Sequence, residues 1–112
     1  MTRLQKILLA ASAVPFVSAS PAMAESEEEK IIRFAAECTY VTKTVEKEGI
    51  GLKHSGDEWL GMLSQVEQKA GIDALPYLNQ AKAKYNRHAK KMGADWAFKR
   101  MISRARECDK QL

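Results

Sequence analysis

Cys38 and Cys108 each lie on an apolar stripe of helical spacing, and together they constrain this chain more than any other feature. Ile31, Phe34, Cys38, Val41 and Val45 recur at intervals of 3, 4, 3 and 4. Phe98, Met101, Ala105 and Cys108 recur at 3, 4 and 3. Residues three and four apart share one face of a helix, so both sulfurs are expected to point into a core. They are the only two cysteines of the chain, so only one pairing exists. A bridge between them would staple the middle of a first helix to the end of a last one. It would close a loop of 70 residue steps, and chain entropy assigns such a closure roughly 4 kcal/mol.

A disulfide requires an oxidising compartment, and the start of the chain supplies an export signal. Arg3 and Lys6 precede an apolar run from Ile7 to Val17, and Ala22-Met23-Ala24 has the form of a cleavage site. The run is too short to span a bilayer. The expected organisation is a cleaved signal peptide over 1–24 and a single helical domain over 25–112. The expected location is the periplasm of a Gram-negative bacterium, or secretion from it. A domain of 88 residues buries a modest share of its surface, and a staple offsets that weakness.

The rest of the domain reads as helix. The first block runs from Glu27 to about Glu48, with Ser26 and Glu29 forming a capping box and Gly49 as the stop. The second runs from Gly56 to Ala70, with Ser55 and Glu58 repeating the box, and Trp59, Leu63, Val66 and Ala70 as its stripe. The third runs from Ala74 to Met92, with Asp73 as cap and Pro76 in the first turn, where a missing N–H is harmless. Its stripe is Leu78, Ala81, Tyr85, His88 or Ala89, and Met92. The fourth runs from Asp95 as cap to about Asp109. No strand pattern competes. The expected fold is all-α: a small four-helix bundle-like domain held by one disulfide.

Charge divides the domain. Residues 25–72 carry 6 basic and 10 acidic side chains, whereas residues 73–112 carry 10 basic and 4 acidic. The basic side chains Lys82, Lys84, Arg87, Lys90, Lys91, Lys99 and Arg100 are the candidate partner-binding surface, with Trp59 and Trp96 at its edges as aromatic anchors. The expected partner is a protein or an anionic envelope component. Nucleic acid is not expected, because export separates the chain from it and no aromatics alternate with these cations. Glu25, Glu27, Glu28 and Glu29 are rival partners for the same face.

Chemistry is scarce. The sequence has no serine nucleophile elbow, no HExxH, no phosphate-binding glycine loop and no haem-attachment motif. No catalytic residue is assigned, and no cofactor or metal is expected. His88 and Met92, four residues apart, are the one pair with metal-ligating character, and a metal or haem carrier using them is the alternative reading. A small envelope enzyme is a further alternative without positive support. His54 lies in the glycine-rich stretch 49–56, expected to be the freest connection of the domain.

In export signal, length, helices and paired cysteines, the chain is similar to small exported helical proteins of Gram-negative bacteria with one long-range disulfide. These include periplasmic acid-stress chaperones and immunity proteins that block cell-wall-degrading toxins. The resemblance rests on no motif and brings no site residue with it. It implies an exported, non-enzymatic binding protein of the inhibitor or stress-chaperone type.

Overall fold

A computed structural model describes residues 25–112, and the signal-peptide reading of residues 1–24 lies outside the described residues. Four helices follow one another: α1 (Glu27–Lys47), α2 (Gly56–Ala70), α3 (Leu75–Met92) and α4 (Ala94–Asp109). Local chemistry sets most of their ends. The Ser26 and Ser55 side chains accept from the backbone N–H groups of Glu29 and Glu58, and each glutamate reaches back to its serine's N–H. Gly71 ends α2 in the left-handed region at φ 68°, a conformation that costs glycine little.

Two of the expected caps differ. Ala74, not Asp73, holds the N-cap position of α3, although the Asp73 carboxylate accepts from the Leu75 N–H at 3.0 Å. α4 begins one residue before Asp95, which falls in its first turn behind Gly93. Gly93 at φ 97° allows the chain to leave α3 and enter α4 at once.

α1 is the central helix. It packs against all three others, α3 packs against α4, and among the described residues the α2 backbone approaches only α1. This bundle-like arrangement gives α1 more than one buried face. Ile32, Ala35 and Ala36 form one cluster with Leu63 and Ala74. Cys38, Val41 and Val45 form a second with Trp59, Tyr85, Ala105 and Cys108. The expected α1 stripe is therefore displaced at its start: Ile32 is fully buried, and Ile31 is 51% exposed. A helix enclosed on several sides does not present a single 3-4 stripe.

Cys38 and Cys108 are bonded, with Cα atoms 5.7 Å apart, and join the middle of α1 to the end of α4. The next residue extends the staple. Asp109 accepts from the backbone N–H groups of Lys53 and His54 at 2.8 and 2.7 Å. The connection between α1 and α2 is thus held by the end of α4, against the expectation of a free loop. Burial alone would raise the Asp109 carboxyl, but the two N–H donors outweigh it and lower its pKa. Among the described residues, no helix is long and apolar enough to cross a membrane.

Candidate functional site

α1, α3 and α4 meet around one carboxylate, Glu37. It precedes Cys38 and sits at the margin of the buried stripe, so the packing that buries the sulfur also encloses the carboxyl, leaving it 12% exposed. Three donors converge on it: the Tyr85 hydroxyl at 2.7 Å, Lys84 Nζ at 2.9 Å and an Arg104 guanidinium nitrogen at 3.3 Å. Burial pushes its pKa up, yet the Tyr85 and Lys84 hydrogen bonds and the Arg104 charge together hold it below the ordinary value. Tyr85 moves upward for related reasons, burial first and then its bond to the Glu37 carboxylate.

Two clefts flank this centre. One, of about 310 Å³, is lined by Arg33, Tyr77, Gln80, Arg87, Lys84 and Glu37. The other, of about 290 Å³, is lined by Arg100, Ser103, Arg104, Glu107, Tyr85, Lys84 and Glu37. They share Glu37 and Lys84 in their lining, and together they are the groove where α1, α3 and α4 meet. Arg33 pairs with Glu25 and Gln80, and Arg104 with Glu107 at 3.0 Å. Arg87 and Arg100 have no carboxylate within ion-pair distance among the described residues.

The expected basic face is thereby sorted. Lys84, Arg87 and Arg100 line the groove. Lys82, Lys90 and Lys91 are exposed on α3 outside both clefts. Lys99 lines a third hollow with Arg106 and Lys110, which shares Ser103 and Glu107 with the second cleft. Lys84 is not a free surface cation, because Glu37 holds it. The acidic start of α1 does not neutralise the α3 and α4 lysines: Glu27 pairs with Lys30, and Glu29 accepts from the Tyr77 hydroxyl at 3.3 Å.

The tryptophans separate in the same way. Trp59 is 1% exposed and meets Phe34 edge to face at 6.0 Å, so it is a core residue and not the surface anchor expected of it. Capping by Ser55 places it one turn into α2, where the close approach to α1 covers it. Trp96 remains 38% exposed. It meets His88 edge to face at 5.4 Å, and the Arg100 guanidinium lies over its ring at 5.7 Å.

His88 also meets Tyr85 edge to face at 5.4 Å, and its Nδ1 is buried with no hydrogen-bond partner among the described residues. Met92 does not join it on a buried stripe but is 56% exposed. No group of three His, Cys, Asp or Glu side chains gathers into a metal-holding set among the described residues. His54 instead sits 3.3 Å from Glu58 beside the α2 cap.

Compared with protein-family models, curated proteins and solved structures, the chain matches none. The groove's central residues, Glu37, Arg33 and Arg104, were not among the expected site residues. The position of Glu37 three residues after Phe34 and one before Cys38 was the available signal. A carboxylate at the margin of a buried stripe requires cations from elsewhere in the chain.

Proposed function

We propose that this protein is an exported, non-enzymatic helical domain that binds a protein or anionic envelope component through the cationic surface of α3 and α4. The observation that carries the reading is the unpaired state of Arg87 and Arg100 beside a groove whose other cations already hold carboxylates. Unpaired guanidinium groups over a concave surface attract and orient an anionic partner. The bonded Cys38–Cys108 pair supports export, since such bridges persist in oxidising compartments. The aromatic packing of His88 and the exposure of Met92 favour a binding surface over a metal or haem carrier.

The test is an envelope pull-down with the oxidised 25–112 domain as bait, washed at low and at high salt. A partner retained at low salt and released at high salt is the expected result. A partner retained equally at both, or no partner at either, would count against the cationic surface.

A further inference from the structure

Resting on that reading, we infer that the groove around Glu37 is a docking site for an acidic protein segment, with partner carboxylates seated in both flanking clefts. Charge complementarity favours such a segment: the two clefts are lined by Arg33, Lys84, Arg87, Arg100 and Arg104 against Glu37 and Glu107. Guanidinium groups present a planar fork that matches a carboxylate. One cleft offers Arg87 together with the Gln80 amide, and the other offers Arg100 together with the Ser103 hydroxyl. Each therefore contains one cation without a carboxylate partner, Arg100 lying also over the Trp96 ring, and one neutral hydrogen-bonding group.

Both clefts are lined by Lys84 and Glu37, and the proposed segment would pass over that pair from one cleft to the other. Glu37 itself is retained in the floor by three donors and keeps the net charge of the groove from repelling its own helices. Glu25 occupies a different position. It precedes α1, is bonded to the exposed Arg33, and lies where a partner carboxylate would compete for the same guanidinium. It acts as an internal competitor.

The probe is a fluorescein-labelled hexaglutamate peptide, with hexaglutamine as its neutral counterpart, titrated by fluorescence anisotropy against the oxidised 25–112 domain at low salt. Hexaglutamate is expected to bind and hexaglutamine not. Arg87→Gln with Arg100→Gln should weaken binding about tenfold, the scale of losing a charge-assisted contact. Lys82→Gln with Lys90→Gln removes the same charge from α3 outside the clefts and should weaken it less than about twofold. Glu25→Gln should tighten it. All five positions are at the surface, and circular dichroism verifies that each variant is folded.

Equal losses in the two double variants would overturn the groove while leaving a diffuse cationic surface intact. Tighter binding of polyphosphate or of hexagalacturonate of the same charge would reassign the groove to phosphate or to acidic glycan. No binding of hexaglutamate would overturn the docking site. If polyphosphate and hexagalacturonate also fail to bind, the anionic-partner reading falls with it.

Discussion

The α2 side and the α3–α4 side of the domain pack on the same central helix but are held to it by different forces. α2 meets α1 through shape. Leu63 and Trp59 are each 1% exposed, and Gly56 lies so close that a Cβ there would stand 3.2 Å from the Lys43 Cα. α3 and α4 meet α1 through Ala81, Tyr85, Ala97 and Ala105, with Phe98, Met101 and Ile102 packed beside them, supplemented by the disulfide and the Glu37 cluster. Polar and covalent links add to the packing of the α3–α4 side, which keeps cations at its rim. The side that is not secured by packing alone is the one that carries the groove.

The largest expected effect is at Trp59, which α2 contributes to the cluster that also holds Tyr85, Ala105 and Cys108. Trp59→Ala should destabilise the domain by about 3–5 kcal/mol, the usual cost of emptying a large buried site. Ile31→Ala, about two helical turns from Cys38 but half exposed, should change stability by no more than about 0.5 kcal/mol. Urea unfolding followed by circular dichroism checks both. Equal effects would mean that α1 uses the simple stripe that includes Ile31, and that the two-faced packing is wrong.

The next effect tests the covalent link. Replacing Cys38 and Cys108 together by Ala should cost about 2–5 kcal/mol. The loss should be uneven across the molecule. The amides of Lys53 and His54 depend on Asp109, one residue beyond the bridge, and should lose hydrogen-exchange protection before the buried amides shared by α1 and α2. Uniform loss of protection would show the two sides to be one cooperative unit.

These contrasts also separate what was legible in the sequence from what was not. The serine caps, the glycine stops after α1, α2 and α3, and the inward direction of both cysteines follow from residues a few positions apart. Local spacing encodes such features directly. Trp59 lies on the α2 stripe and is buried as that spacing implies, so only its reading as a surface anchor fails. The exchange of Ile31 for Ile32 and the exposure of Met92 depend on how many neighbours surround a helix, which spacing alone does not encode. Glu37 was hidden for the same reason, since its partners lie 47, 48 and 67 residues away. The basic surface was legible as composition, but only the fold distinguishes Arg87 and Arg100 at the groove from Lys82 and Lys90 outside it.

A smaller loss of stability than at Trp59 or the disulfide is expected at Glu37, and it tests whether the α3–α4 side uses charge. Glu37→Gln keeps the volume and loses the anion, leaving Lys84 and Arg104 facing a neutral amide. A loss of about 1–2 kcal/mol at neutral pH is expected, because the cations remain partly solvated and their pairing is worth less than in a dry core. The pH dependence is the sharper reading. The folded Glu37 carboxyl lies below its ordinary value of 4.5. Its stabilisation is therefore complete well above that value and is lost as pH falls through the lower, folded-state pKa. Wild type and Glu37→Gln should differ at pH 7 and converge in acid, as read from urea midpoints across the range. A constant gap down to low pH would mean that the Gln amide disrupts packing rather than charge, and would place the α3–α4 side under the same steric control as α2.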